Sequence, residues 1–142
     1  VLADYGSDVA WVYRHYPLNF HANAQKEAEA AECAGELGDN EKFWDYVDKI
    51  FERTTSNGTG FALDKLAPLA AEIGLNQGKF KECLDSGKYE KHVKDEMEAG
   101  RKAGVNGTPG TFVIAADGST KYVAGAVPVG EFKTEVDQAL KK

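Results

Sequence analysis

The spacing of apolar residues changes twice along the chain. Residues 9–16, VAWVYRHY, form a near-continuous apolar run closed by Pro17, which predicts a strand buried on both faces. Small and apolar residues then recur every three or four positions up to about residue 104, which predicts helices. From residue 111 apolar residues recur at about every second position, which predicts strands. The order strand, helical block, strand pair and helix predicts an α/β or α+β chain with a small sheet, and we take α/β as the fold class.

The helical block divides into five predicted helices. Gly38 stands near the end of the first helix, and Asp39 or Asn40 is the expected cap of the second. Pro68 falls near the start of the third, where its missing backbone donor costs little. The five helices are expected at about 23–37, 40–53, 64–73, 78–87 and 88–104.

Two short apolar runs meet across Asp117-Gly118 in TFVIAADGSTKYVAG. This dipeptide between alternating apolar residues predicts a hairpin with a type I′ turn. A last helix begins near Pro128. The helical block is long enough to connect the first strand in parallel to the strand after Pro109.

Charge and composition exclude several classes of protein. The chain has 142 residues, with 17 Lys and Arg against 23 Asp and Glu, so its net charge is -6. This length predicts one domain, and the absence of a basic face argues against nucleic-acid binding. No apolar run is long enough to span a membrane. We expect no cofactor and no metal, because His15, His21 and His92 show no ligand spacing, and His15 and His21 fit structural roles better.

The segment GVNGTPGTFVI, residues 104–114, places Pro109 at the mouth of a strand. Pro109 has no backbone N–H, and it restricts Thr108 to extended geometry. An extended residue at a sheet edge could pair with an incoming peptide. Alternatively, Gly107, Pro109 and Gly110 only mark a helix-to-strand loop. The local pattern leaves both interpretations open.

Four segments together resemble the DsbA-like thiol:disulfide oxidoreductases of the thioredoxin superfamily: VAWVYRHYPL, NAQKEAEAAECAGELGDNEKFWDYVDKIFE, GKFKECLDSGKYEKHVKDEMEAGRKAGVNGTPGTFVI and DGSTKYVAGAVPVGEFKTEVDQAL. The resemblance implies a single DsbA-like domain over residues 1–142. Its thioredoxin-like part would comprise residues 1–21 and 104–142, and an all-helical insertion would comprise 22–103.

The same resemblance implies a role for the loop before the second strand. Pro109 matches the family's cis-proline, and Thr108 matches the residue whose main chain meets substrate. We therefore expect Gly107, Thr108 and Pro109 to bind an extended peptide or an unfolded protein.

The family's redox chemistry uses a Cys-x-x-Cys pair at a helix N-terminus, which this sequence does not contain. By the resemblance, the active-site strand and this motif would precede Val1, and VLADYG matches the last turns of the following helix. We expect no catalytic residue in this chain. Without the N-terminal active-site strand the sheet would lack its central strand, and we expect it to be completed in one of three ways. The two strands next to the gap pair directly, a second chain supplies the strand in a homodimer or strand swap, or an upstream segment supplies it.

The resemblance implies thiol-disulfide exchange on extracytoplasmic proteins, in the periplasm or another extracytoplasmic compartment. Because no vicinal dithiol is present, we expect this chain by itself to be inactive in that exchange. The alternative is a redox-inactive DsbA-like module for peptide binding or assembly.

Cys33 and Cys83 are the two cysteines of the chain and lie 50 positions apart, on separate predicted helices. In the oxidising compartment that the resemblance implies, they are candidates for a structural disulfide. Two buried free thiols are the alternative, and the sequence leaves both open.

Overall fold

The computed structural model describes residues 2–55 and 58–141. Within them the chain forms six α-helices and two β-strands, interrupted by short 3₁₀ turns at Gly6–Asp8 and Leu63–Lys65. The elements are α1 (Leu2–Tyr5), α2 (Ala24–Arg53), α3 (Leu66–Glu72), α4 (Gln77–Ser86), α5 (Glu90–Lys102), β1 (Gly110–Ile114), β2 (Thr120–Ala124) and α6 (Val129–Leu140).

The chain divides into two compact units. One unit comprises residues 15–98 and contains α2, α3, α4 and most of α5. The other comprises residues 1–14 and 99–142 and contains the two strands, α1 and α6. The arrangement as one domain with boundaries at 21/22 and 103/104 stays a prediction. No helix among the described residues is long and apolar enough to cross a membrane.

The core of the helical unit forms where α2 packs against α3 and α4. Tyr46 of α2 and Phe80 of α4 are fully buried, with ring centroids 5.3 Å apart. The Tyr46 hydroxyl donates a hydrogen bond of 2.9 Å to the carbonyl of Leu66, so its one polar atom is satisfied. The N-terminal half of α2 buries small side chains, which allow close approach of its neighbours: Ala28, Ala30, Ala31 and Ala34.

A kink at Gly38 and Asp39 separates the two halves of α2. Asp39 has a φ of 71°, and its Oδ1 accepts a 2.8 Å hydrogen bond from the Glu41 N–H. This bond caps the second half of the helix, as predicted for Asp39. The two helices predicted from the sequence are therefore consecutive segments of one helical run.

Cys33 and Cys83 form a disulfide that joins α2 to α4. Their Cα atoms lie 5.9 Å apart, and Cys33 is only 1% exposed. Of the two alternatives that the sequence left open, the structure contains the disulfide, and the chain has no free cysteine.

The two strands form the predicted antiparallel hairpin, with Phe112 opposite Tyr122 and Ile114 opposite Thr120. The predicted type I′ turn is wrong, because that turn needs positive φ at both central residues and only Gly118 has it, with a φ of 83°. The Gly118 N–H instead bonds to the Ala115 carbonyl, and Ser119 N–H bonds to the Asp117 side chain. The connection therefore has three residues, with glycine in the left-handed position.

The strand predicted over Val9–Tyr16 is not formed, and neither is its parallel pairing with the strand after Pro109. Among the described residues the sheet contains β1 and β2 only. High β-propensity does not make a strand where no neighbouring backbone supplies hydrogen bonds. The expected burial on both faces is also wrong, because Trp11 is 42% and Val12 is 70% exposed.

Residues near the N-terminus are attached to α6. The Tyr5 hydroxyl donates hydrogen bonds to the Lys133 carbonyl and to Asp137 Oδ1, at 3.2 and 2.8 Å. Trp11 packs edge-on against Phe132, with centroids 5.9 Å apart. Leu2–Tyr5 is helical, as the resemblance implied for the opening residues, whereas Val1 lies outside the described residues.

Candidate functional site

The candidate site lies in the loop that joins α5 to β1. Gly104, with a φ of 91°, ends the helix, and the Val105 N–H returns to the Gly100 carbonyl over 2.9 Å. The chain then runs through Gly107, Thr108 and Pro109, with Thr108 and Pro109 exposed and Gly107 half-buried. The Thr108-Pro109 peptide bond is cis.

The sheet holds the end of this loop in place. The Pro109 carbonyl accepts a 2.8 Å hydrogen bond from the N–H of Gly125, just beyond β2. Gly110 then begins β1 opposite Ala124. The three predicted site residues are therefore consecutive on an exposed surface, anchored at the strand on one side and at the helix end on the other.

The hydrogen-bond register shows which backbone groups of β1 face outward. The Ala115 N–H bonds to Ser119 across the hairpin, and the Gly125 N–H bonds to Pro109 at its other end. Because bonded and non-bonded pairs alternate in an antiparallel ladder, Thr111 and Val113 also bond toward β2. The N–H and C=O groups of Gly110, Phe112 and Ile114 point to the opposite edge of β1.

The side chains along this outward edge are apolar and accessible. Phe112 is 37% and Ile114 is 68% exposed. The Phe112 ring lies against the Tyr122 ring with centroids 4.8 Å apart, which limits its exposure. The loop thus continues into a strand edge that no other strand of the described residues covers and whose apolar side chains are exposed. Such an edge favours the addition of another strand.

A small open cleft of about 200 Å³ lies beside β2 and α6. Phe132 and Val127 supply apolar surface, and Glu131 and Glu135 supply two carboxylates one helical turn apart. Tyr122 also borders the cleft. This part of the site was not found from the sequence, because the pattern placed these residues on a strand and a helix without indicating that they meet.

The two sulfur atoms belong to the helical unit, whereas the loop at Gly107–Pro109 belongs to the other unit. Glu36 Oε2 lies 3.9 Å from Cys83 Sγ and accepts hydrogen bonds from Lys88 Nζ and from the Tyr89 hydroxyl, at 2.5 and 2.7 Å. The Lys88 ammonium, followed by the Tyr89 hydroxyl, lowers the pKa of Glu36. Partial burial, reinforced by Glu36, raises the pKa of Tyr89 to about 12. The surroundings of the disulfide are thus fixed by ionic and hydrogen-bonded partners.

His15 and His21 have structural partners, as predicted, and His92 lies near a carboxylate. His15 is buried, and its Nε2 lies 2.8 Å from Glu32 Oε1. The His21 ring nitrogen Nδ1 lies 2.9 Å from the Gly58 carbonyl. His92 lies 3.5 Å from Glu96 Oε1. Among residues 2–55 and 58–141, no group of His, Cys, Asp and Glu side chains is arranged to hold a metal ion.

The comparison with protein families gives the class of protein. Residues 10–137 match the family described as the DSBA-like thioredoxin domain. The structure is similar to the crystal structure of Pseudomonas aeruginosa DsbA2, with a TM-score of 0.75 over 92% of this chain and 71% of that one. The identity is 24%, so this likeness shows the fold. The fold is the DsbA-like thioredoxin fold that the sequence predicted, with a helical part and a small sheet.

The chain belongs to the DSBA-like thioredoxin domain family, as the resemblance in its sequence indicated. It is also 31% identical over 111 residues to a Na(+)/H(+) antiporter NhaA of Herminiimonas arsenicoxydans, and 33% identical over 119 residues to NhaA 3 of Salinispora tropica. These matches cover 78% and 80% of this chain. The chain spans only 16% of the length of these curated relatives.

Proposed function

We propose that this chain is the peptide-binding part of a DsbA-like thiol:disulfide oxidoreductase that acts on extracytoplasmic proteins. The loop Gly107, Thr108 and Pro109 would hold an extended peptide or an unfolded protein, with Pro109 in the role of the family's cis-proline. The observation that supports this most is the loop itself: Thr108 and Pro109 are exposed, and the hydrogen bond from the Gly125 N–H to the Pro109 carbonyl anchors them to the sheet.

The proposal includes the arrangement of the whole chain as one domain. Residues 1–21 and 104–142 would form its thioredoxin-like part, and residues 22–103 its helical insertion. The outer edge of β1 would be completed by one further strand, either from upstream sequence or from a second copy in a homodimer or strand swap. An extracytoplasmic compartment, such as the periplasm, fits the disulfide between Cys33 and Cys83.

We further propose that the 142-residue chain alone does not catalyse exchange. Thiol-disulfide exchange starts from an accessible thiolate, and both cysteines of the chain are joined in a disulfide whose Cys33 end is buried. The same observation favours the second candidate function, a redox-inactive module that binds peptide without chemistry. Turnover of insulin disulfides by the purified chain, above the uncatalysed rate, would contradict this part of the proposal.

Peptide binding is tested with two substitutions to proline at exposed threonines. Thr108→Pro removes the N–H of the loop residue whose main chain would meet the peptide, and Thr120→Pro removes an N–H that points outward from β2. Neither change deletes a hydrogen bond between the strands. Fluorescence anisotropy with a labelled, S-alkylated unfolded protein measures binding.

We expect Thr108→Pro to weaken binding at least about tenfold, because the loop loses the main-chain donor that would pair with the peptide. Thr120→Pro should bind like the unaltered chain. Equal binding by the two variants would contradict the placement of the peptide on the loop at Thr108, and far-UV circular dichroism checks that both variants fold.

A further inference from the structure

Asn106 and Gly107 form an Asn-Gly pair directly before Thr108 in the loop between α5 and β1. Asn106 is exposed, and neither its side-chain amide nor the Gly107 N–H forms a hydrogen bond with any residue of 2–55 or 58–141. Apart from its chain neighbours, a Cβ atom placed on Gly107 would meet no atom within 4 Å. Glycine has no side chain that would shield its own backbone nitrogen. The side-chain amide of Asn106 and the nitrogen of Gly107 are therefore free to react with each other.

The reaction open to these two groups is the loss of the side-chain amide as ammonia. The Gly107 nitrogen attacks the side-chain carbonyl carbon of Asn106, and the new C–N bond closes a five-membered succinimide ring. The bond from that carbon to the side-chain nitrogen breaks, and the proton of the Gly107 N–H leaves with that nitrogen as ammonia. A water molecule then opens the ring at one of its two carbonyls, which gives aspartate or isoaspartate. Nothing is oxidised or reduced, and water is the only co-reactant.

The chain contains the same tripeptide, Asn-Gly-Thr, at 57–59 and at 106–108, which provides an internal comparison. The Gly58 N–H donates a hydrogen bond of 3.1 Å to the Thr55 carbonyl, whereas the Gly107 N–H has no such partner among the described residues. A hydrogen bond holds the proton that has to leave and directs the nitrogen away from the side chain that it would attack. The two sites therefore share their local sequence and differ in whether the glycine nitrogen is available. Asn57 itself lies outside the described residues.

We propose that Asn106 is a site of spontaneous deamidation, and that its conversion switches off the adjacent loop. Both products place a carboxylate beside the loop, in a chain whose net charge is already -6. Isoaspartate also inserts one extra carbon atom into the main chain before Thr108. The loop is held by the Val105 N–H at the helix end and by the Pro109 carbonyl at the sheet, so the extra atom displaces the residues between them. The effect on binding rests on the proposed peptide-binding function, whereas the modification does not.

The modification is measured by incubating the whole chain in mildly alkaline buffer and following both Asn-Gly sites by peptide mapping with mass spectrometry. Enzymatic methylation of isoaspartate identifies that product. In the folded chain Asn106 should convert about three- to tenfold faster than Asn57, as expected when one net hydrogen bond protects Gly58 and none protects Gly107. In urea with a phosphine reductant the two rates should become equal, because the local sequences are the same.

The effect on the loop is measured by the fluorescence anisotropy of a labelled, S-alkylated unfolded protein, before and after the incubation. The unaltered chain should lose binding in proportion to the fraction of Asn106 that has converted. Asn106→Gln is the matched control, because it keeps the amide but would have to close a larger ring, which forms more slowly. After the same incubation, this variant should bind as it did at the start.

The outcomes separate the modification from the function on which its effect rests. If Asn106 converts no faster than Asn57 in the folded chain, the modification site is overturned. If Asn106 converts but binding is unchanged, or if Asn106→Gln loses binding equally, the switching role is overturned and peptide binding stands. If the fresh chain binds no unfolded protein, the proposed function and the switching role both fall, and the mass measurement still decides the modification. Faster conversion of Asn106, with a matching loss of binding that Asn106→Gln prevents, supports the whole inference.

Discussion

Cys33 of α2 is bonded to Cys83 of α4, and the bond closes a loop between residues 50 positions apart in the helical unit, where α2, α3 and α4 pack together. In the chain-entropy description, a loop of this length gives about 4 kcal/mol of stabilisation by restricting the unfolded state. This is a large share of the 5–15 kcal/mol by which a typical domain is stable. The helical unit thus depends on the bond for much of its stability.

We expect the double variant Cys33→Ala, Cys83→Ala to lose about 4 kcal/mol in the free energy of unfolding, measured by urea titration. A phosphine reductant should lower the stability of the unaltered chain by a similar amount. The same reductant should leave the double variant unchanged, which is the control. A reductant-insensitive midpoint in the unaltered chain would count against the bond.

Glu27 gives a pH dependence whose direction follows from its surroundings. Its carboxylate accepts a hydrogen bond from the Phe61 N–H, but burial outweighs this bond and raises the pKa of Glu27 above its ordinary value. A raised pKa means that the folded state binds this proton more tightly than the unfolded state. The contribution to stability is therefore complete below the unfolded-state pKa of about 4.3 and is lost as the pH rises through the folded-state pKa.

Glu27→Gln removes this titration and retains an oxygen that can accept from Phe61. We expect the variant to gain stability relative to the unaltered chain as the pH rises from 4 to 7, measured as the difference between their urea midpoints. Glu82→Gln, on an exposed residue of α4, should show no such trend. A constant difference between pH 4 and pH 7 for Glu27→Gln would refute the assignment.

Gly38 is required at the kink of α2. A Cβ placed there would lie 2.5 Å from Lys42 Cγ and 2.8 Å from Leu75 Cδ2. We expect Gly38→Ala to cost about 1–3 kcal/mol by overpacking, measured by thermal and urea unfolding. Gly78→Ala in α4 is the matched control, since its nearest contact would be 3.4 Å away at Asn76 Oδ1. It should be neutral or stabilising by up to about 1 kcal/mol, and an equal loss in both variants would contradict the steric explanation.

The buried hydrogen bond from Tyr46 to the Leu66 carbonyl predicts how much stability the protein loses when the Tyr46 hydroxyl is removed. Tyr46→Phe keeps the ring against Phe80 but leaves the carbonyl without its side-chain donor, so we expect a loss of about 1–3 kcal/mol in unfolding free energy. Tyr89→Phe is the comparison, because the Lys88 ammonium still binds the Glu36 carboxylate after the hydroxyl is gone. We expect Tyr89→Phe to lose less unfolding free energy than Tyr46→Phe. A larger loss in Tyr89→Phe would be inconsistent with the burial of Tyr46.

The helices were predictable because their information is local. Asp39 as a helix cap, Pro68 near a helix start and the period of the apolar residues depend on neighbours within a few positions. The strand predicted over Val9–Tyr16 is wrong, since a strand depends on a partner backbone that no local pattern contains. The hairpin was predicted correctly, but the turn at Asp117-Gly118 admits both a two-residue and a three-residue connection, and the structure adopts the latter.

The candidate site was predictable in part for the same reason. Pro109 and its neighbours stand out in the sequence by their type and order. Tyr122, by contrast, meets Gly110 only through the register of two strands, so its position follows from the pairing of Phe112 with Tyr122 and not from spacing along the chain. A glycine directly after the proline was the one signal in the sequence that something approaches the backbone there.

The bond between Cys33 and Cys83 turns the backbone between them into a covalent ring that contains the whole second half of α2, all of α3 and most of α4. Any single break of the chain inside that ring opens it without dividing the molecule. A protease that cuts once between the two cysteines therefore leaves one molecule of nearly unchanged mass. The two fragments separate only when the disulfide is reduced. The helical unit is thus protected against losing a segment to a single cleavage.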